Sequence, residues 1–244
     1  MNRTIIIIPS RMAASRLKGK PLLEINKIPI ICHVLNRAKE TGLESIVASE
    51  DKEIIAAVEK NGGQAILTEK HRTGTDRIFE AFKKLKKKNV DHILNLQGDE
   101  PMIDPMDVVN LNKLMIKHNS DIGTLASEIE ECKVLNNENI VKVITKEKLE
   151  NNNFVRALNF SRKILYNKKY NIYRHIGIYC YKISILERFV NLDQTKNEIK
   201  NNLEQLRAMD NDIQINVSLA KSSSIGVDTK EDYMALKKTM EYKS

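Results

Sequence analysis

The chain contains no tryptophan, and aromatic residues make up only 5% of it, so it lacks the interleaved stacking side chains of a single-strand nucleic-acid groove. Cysteine is scarce too: Cys32, Cys132 and Cys180 are odd in number and far apart, which argues against a disulfide framework and a cysteine zinc site. No apolar run approaches the ~20 residues of a membrane-spanning helix. The short apolar stretch from Met1 to Pro9 is bounded by Pro-Ser-Arg rather than by a small-residue cleavage site. It reads as a buried strand, not a signal peptide, and a cytoplasmic protein is expected. There is no internal repeat. Neither a Walker motif nor a G-x-G-x-x-G fingerprint occurs, which withdraws the usual support for ATPase and NAD readings.

What is present suits a globular enzyme. A hydrophobic fraction of 41% beside 30% charged residues fits a packed core under a polar surface, and 244 residues accommodate one large α/β domain spanning 1–244. The net charge of +8 and the run Lys83, Lys84, Lys86, Lys87, Lys88 raise the question of nucleic acid. Without aromatics, a Lys-rich helix end reads better as a solvated face that complements the helix dipole. Neither nucleic acid nor membrane is expected as a partner.

Short apolar strands alternate with amphipathic helices, the pattern of a largely parallel sheet. Thr4 to Ile8 is a continuous β-branched run, as for a central strand buried on both faces. Ile30, Ile31, Val34, Leu35 and Ala38 fall at helical spacing, with Pro29 near the first turn. Strands follow at Ser45 to Ala48, Ala65 to Leu67 and His92 to Leu96. Asp51 is placed to cap a helix bearing Ile54, Ile55 and Val58, and another helix carries Ile78, Phe82 and Leu85. Later, Val108, Leu111 and Met115 mark a helix. Strands are expected at Ile122 to Ala126, Val141 to Ile144, Phe154 to Phe160, His175 to Tyr181 and Ile213 to Val217. Leu203 to Met209 reads as helical, and Thr229 with Asp232 resembles a capping box ahead of Tyr233, Leu236 and Met240. The Asn-rich stretches at 136–139, 151–153 and 197–202 read as surface turns or loops.

Three segments carry chemistry. The loop after the first strand, Pro9 to Pro21, sets Arg11, Arg16 and Lys20 among small residues, where open α/β sheets bind ligands. Its amides and cations suit a triphosphate, with an ordinary polar loop as the alternative. In Asn95-Leu96-Gln97-Gly98-Asp99-Glu100-Pro101, an acid follows an apolar strand, so Asp99 can hold a hard divalent ion such as Mg²⁺; alone, a Gly-Asp turn is only a turn. In Gly226-Val227-Asp228-Thr229, Asp228 is either a second metal-binding acid or a helix cap. Together the three supply what nucleotidyl transfer needs: cations around a triphosphate, and acids for a metal at the α-phosphate.

The segments IIPSRMAASRLKGKPL, HRTGTDRI (71–78), NLQGDEPMI (95–103), RHIGIYCY (174–181), LEQLR (203–207) and GVDTKED (226–232) occur in this order. With them, the sequence resembles the Kdo cytidylyltransferases, or CMP-Kdo synthetases, over essentially its full length. The resemblance implies a Rossmann-like nucleotidyltransferase fold with a mixed, mostly parallel sheet, and a smaller sugar-binding and dimerisation subregion near 146–210. It implies transfer of CMP from CTP to 3-deoxy-D-manno-octulosonate (Kdo), a Mg²⁺ cofactor, a homodimer and a product destined for lipopolysaccharide. Arg11, Lys20 and Asp99 take the catalytic positions. Arg11, Arg16, Lys20, Thr73, Gly74, Arg77 and Asp99 match nucleotide-binding positions, and Gln97, His175, Tyr179, Glu204 and Gln205 match the sugar site. Asp99 and Asp228 match the metal-binding aspartates. The chain departs from the family pattern at Lys18, at Lys163 to Tyr166 and at Lys200 to Asn202. The alternatives are a cytidylyltransferase for 8-amino Kdo or sialic acid, and a nucleotide-binding regulator without turnover.

Overall fold

The computed structural model describes residues 3–13, 17–130, 132–163, 169–221 and 226–241. The chain divides into two compact units, one formed by Met1–Met106 with Ser224–Ser244 and the other by Asp107–Ser223.

The first unit is built on a buried strand. In β1 (Thr4–Ser10) every residue is buried, and Ile5, Ile6, Ile7 and Ile8 have no exposed surface. Four consecutive isoleucines suit a strand covered on both faces, where alternation would leave polar groups in the core. A hairpin of β2 (Glu24–Ile25) and β3 (Ile28–Pro29) follows, turning through Asn26 and Lys27, both at positive φ (50° and 62°) as a tight two-residue turn requires. Pro29 forms the N-cap of α1 (Ile30–Glu40), so the helix starts just after the proline. Then come β4 (Glu44–Ser49), α2 (Lys52–Lys60), β5 (Ala65–Leu67), α3 (Gly74–Leu85) and β6 (His92–Asn95). Within this unit β4 and β6 flank β1, β5 lies beside β4, and all these pairings are parallel. Helices α1 and α3 pack against β1.

The second unit begins two residues into α4 (Pro105–His118), which leads to β7 (Ile122–Ser127), α5 (Cys132–Asn136), β8 (Lys142–Thr145), β9 (Val155–Ser161) and β10 (Asn171–Lys182). Helices α6 (Ile183–Val190), α7 (Lys196–Asn201) and α8 (Gln205–Asp210) precede β11 (Ile215–Leu219). Strand β7 pairs antiparallel with β10 and parallel with β11; β9 joins β11 to β8, and β8 returns to the first half of β10. A bulge between Ile176 and Tyr179 shifts the register of β10. The chain's last described helix, α9 (Lys230–Glu241), belongs to the first unit.

One expectation is overturned here. The Asn-rich stretch at 197–202 is not loop but α7, because Thr195 and Glu198 form a reciprocal capping box at its start. Glu198 then forms a buried double hydrogen bond with Arg207, from Nε at 2.8 Å and from Nη2 at 2.6 Å. The expected helix at Leu203 to Met209 starts at Gln205. On α9, Tyr233, Leu236 and Met240 are half-buried rather than core. Among the described residues no helix is long and apolar enough to cross a membrane.

Candidate active site

Beyond the carboxyl ends of β1 and β6, the first unit contains a cleft of about 290 Å³. Its walls come from Pro9, Ser10, Arg11, Lys20 and Pro21 after β1, from His71, Thr73, Gly74 and Arg77 at the start of α3, from Gln97, Gly98 and Asp99 after β6, and from Asp228. Close backbone approach makes this possible at two glycines. A Cβ on Gly98 would stand 2.8 Å from the Pro9 carbonyl oxygen, and one on Gly74 would stand 3.2 Å from Pro9 Cγ.

Lys20 is the electrostatic centre of the cleft. Its Nζ donates to Asp99 Oδ2 at 2.7 Å and to the Val227 carbonyl at 2.6 Å, and lies 3.4 Å from Asp228 Oδ1. The side chain is only 12% exposed, so this ammonium depends on its partners, whereas Asp228 is 51% exposed. The helix-cap alternative for Asp228 is settled by its neighbour. Asp232 Oδ2 accepts from the amides of Thr229 at 2.8 Å and Asp228 at 3.1 Å, while Thr229 Oγ1 accepts from the Asp232 amide. Thr229 and Asp232 cap α9, and the Asp228 carboxylate faces Lys20.

Two carboxylates converging on one cation are a fit for a divalent metal, since the ammonium already marks where positive charge is stabilised. Among the described residues no group of three or more His, Cys, Asp and Glu could hold a metal ion. Such a pair suits an ion that keeps water and substrate phosphates among its ligands.

The other wall is held by its own hydrogen bonds. Thr73 caps α3, its Oγ1 accepting from the Asp76 amide at 3.1 Å. Arg77 is 2% exposed; Nη1 donates to Thr68 Oγ1 and Nη2 to Glu50 Oε2, both at 2.9 Å. His71 also lines the cleft, with Nε2 on the Glu80 carboxylate. Burial opposes the charge on Glu80, but hydrogen bonds from Lys84, His71 and the Glu69 amide hold its carboxyl below the usual range. Sequence reasoning passed over His71 although it opens the HRTGTDRI segment. Arg11 lies exposed at the cleft, and Arg16 falls outside the described residues, as do Ile164, Leu165 and Tyr166 of the departures.

Residues 5–215 match the cytidylyltransferase family. The chain is 41% identical to the 3-deoxy-manno-octulosonate cytidylyltransferase of Thermodesulfovibrio yellowstonii, over 97% of its own length and 98% of that relative. It belongs to the 3-deoxy-manno-octulosonate cytidylyltransferase family. A family relative from Brucella anthropi is likewise 41% identical, covering 94% of this chain and 93% of its own. A solved structure of CMP:2-keto-3-deoxy-manno-octonic acid synthetase complexed with CTP superposes with a TM-score of 0.90 at 35% identity, over 100% of both chains. A cytidylyltransferase from Leptospira borgpetersenii, 18% identical with a TM-score of 0.65 over 99% of this chain and 88% of that one, shares the fold.

Of the residues that the resemblance to 3-deoxy-manno-octulosonate cytidylyltransferases assigns to the sugar, Gln97 lines the first-unit cleft and the rest lie in the second unit. There His175 stacks obliquely on Tyr179, with ring centroids 5.4 Å apart, and meets Phe160 edge-on at 5.1 Å. Burial pushes the His175 imidazole down to about 3. Thr124 Oγ1 donates to the Ile178 carbonyl at 2.6 Å, so at 2.9 Å it accepts from His175 Nε2, which assigns the neutral Nε2–H tautomer. Burial also holds the Tyr179 phenol well above its usual value, with Tyr181 and Glu204 adding to the shift. Its hydroxyl is buried without a hydrogen-bond partner among the described residues. Such a group is costly unless a ligand satisfies it. Glu204 and Gln205 sit at the start of α8.

Proposed function

We propose that this chain transfers CMP from CTP to Kdo, releasing pyrophosphate and supplying activated sugar for lipopolysaccharide. The observation that carries the reading is the Lys20 ammonium, 2.7 Å from Asp99 and 3.4 Å from Asp228 at the mouth of the β1 loop. A phosphate-binding cation with one acid after a strand and another ahead of a helix in one cleft suits phosphoryl chemistry, in which positioning and electrostatics do most of the catalysis.

In this reading Arg11, Arg16 and Lys20 bind the triphosphate, while Thr73, Gly74 and Arg77 form the wall beside the base and ribose. Gln97, His175, Tyr179, Glu204 and Gln205 bind the sugar. The buried Tyr179 hydroxyl and the unprotonated Nδ1 of His175 supply polar groups for its hydroxyls. The anomeric 2-hydroxyl oxygen of Kdo bonds to the α-phosphorus as the bond to the bridging oxygen of pyrophosphate breaks in line; the hydroxyl proton passes to solvent. Lys20 and Arg11 stabilise the charge that develops on the phosphate oxygens.

Nucleotidyl transfer of this kind generally uses a divalent metal. Asp99 and Asp228 would hold Mg²⁺, which would supply Lewis-acid withdrawal of charge from the α-phosphate. A single 1–244 domain with a sugar-binding and dimerisation subregion near 146–210, a homodimer and a cytoplasmic location complete the proposal.

The test is pyrophosphate release with CTP and Mg²⁺, comparing Kdo, 8-amino Kdo and N-acetylneuraminate, with ATP, GTP and UTP as nucleotide controls. Release with CTP and Kdo, abolished by a chelator and restored by Mg²⁺, is expected. Preference for another sugar relocates the specificity, and CTP binding without turnover on any sugar refutes the enzyme reading.

A further inference from the structure

The parallel pairing of β1 with β4 runs to Ser10 opposite Ser49. Two residues further along each strand are Met12 and Asp51. There the main chain of Asp51 leaves the sheet, its carbonyl accepting from the amides of Ile54 and Ile55 at 3.1 and 3.2 Å to begin α2. Asp51 occupies the N-cap of that helix, where a carboxylate ordinarily accepts from the helix's own free amides. It makes no such bond. Its Oδ2 instead accepts from the Met12 amide at 2.7 Å, and its own amide donates to Ser49 Oγ at 3.1 Å. The side chain supplies the rung that the main chain no longer provides.

That rung reaches the chemistry. The Met12 carbonyl accepts from the Gly19 amide at 3.2 Å, and Gly19, at φ 70°, turns the chain into Lys20. Met12 is therefore held at both ends of its peptide, by Asp51 on one side and by Gly19 on the other. Arg11 precedes it and Lys20 follows Gly19, so Arg11 and Lys20 are each one residue from a pinned position. The neighbouring acid, Glu50, holds Arg77 of the opposite wall. A carboxylate beside a bound triphosphate is opposed by Coulomb repulsion, so Asp51 is not a ligand for it. Its place is behind the loop, as a charge-assisted acceptor.

We propose that Asp51 is a positioning residue that, by pinning Met12 and through it Gly19, holds the adjacent Arg11 and Lys20 in place for the nucleotide. The proposal rests on the reading of that loop as the triphosphate cradle.

Hydrogen exchange resolved to single amides, combined with steady-state kinetics on the full chain, tests it. In the wild type the Met12 amide is protected although it lies in a loop; rapid exchange there already overturns the proposal. In Asp51→Ala, the Met12 and Gly19 amides exchange about tenfold faster or more, while amides 52–55 of α2 are unchanged. The KM for CTP rises by about tenfold or more with a smaller change in kcat, because the loop must then be ordered on binding. Asp51→Asn, which keeps an acceptor oxygen, recovers most of both. Faster exchange confined to residues 52–55 would make Asp51 a helix cap. A loosened loop with unchanged CTP kinetics would equally sink the positioning role. Absence of pyrophosphate release from the wild type with every sugar is the failure of the functional reading, and the exchange pattern still decides the anchor.

Discussion

Lys20 and Asp99 form a direct ion pair, Nζ to Oδ2 at 2.7 Å, inside the cleft that opens beyond β1 and β6. Under the proposed function, the acid holds the cation in the cleft where it would meet the α-phosphate. Lys20→Ala is expected to lower kcat by about 10²–10³-fold, the range seen when a preorganised donor to a developing anion is lost. An effect confined to KM would reduce Lys20 to a ground-state phosphate clamp.

Glu198 and Arg207 are a buried pair, 4% and 3% exposed, and the guanidinium also stacks over Phe189 at 4.7 Å. Removing one partner strands the other. Glu198→Ala is expected to destabilise the protein by about 3–5 kcal/mol in denaturant titrations. Burial opposes the Glu198 charge, but hydrogen bonds from Arg207 and Gln194 and the Arg207 charge outweigh it and hold the carboxyl below its usual range. Because the folded value is depressed, the stabilisation is complete above the unfolded pKa of about 4.3 and is lost as pH falls through the folded value. Melting curves of wild type and Glu198→Gln should therefore differ near neutral pH and converge in acid. Parallel curves at every pH would contradict the linkage.

His175 should stay neutral through the whole working range, since burial pushes it down to about 3. Nitrogen chemical shifts of labelled histidine are expected to show the Nε2–H tautomer and no titration between pH 8 and 4. The unfolded chain takes up a proton near pH 6.5 that the folded state refuses, so His175 withdraws stability as pH falls from about 6.5 towards the folded value. A titration near pH 6.5 in the folded protein would remove the neutral acceptor from the sugar-binding proposal.

Gly98→Ala places a methyl 2.8 Å from the Pro9 carbonyl oxygen and 3.2 Å from Ile31 Cδ1. The first contact is backbone of a fully buried strand and cannot yield. A cost of about 1–3 kcal/mol is expected, read as a lower Tm, together with reduced kcat as the Asp99 turn is displaced. Unchanged stability and rate would show that the turn relaxes freely.

Strands β1, β4 and β6 were legible because each carries an apolar run that the sheet buries, and β5 by its apolar run although it is only part-buried. Helix α7 was not, because asparagine reads as a turn former until Thr195 caps the helix and Arg207 meets Glu198. Asp51 carried a cap signal, and the structure spends its carboxylate on Met12 instead. A local pattern shows which groups seek a partner and not which partner is in reach.

The cleft divides in the same way. Sequence alone determined its chemical vocabulary: a basic loop after the first strand, an acid after β6, an acid ahead of the last helix and a motif at the start of α3. Only the tertiary structure decided that Asp228 faces Lys20 rather than α9, because Asp232 and Thr229 reach the helix amides first. It also decided that Arg77 is buried against Glu50 and Thr68, and that His71 belongs to the wall. Charge and hydrogen-bonding capacity are properties of a residue type and can be read in order along the chain. Their pairing depends on distances of a few ångströms between residues remote in sequence, and those distances exist only once the core has folded.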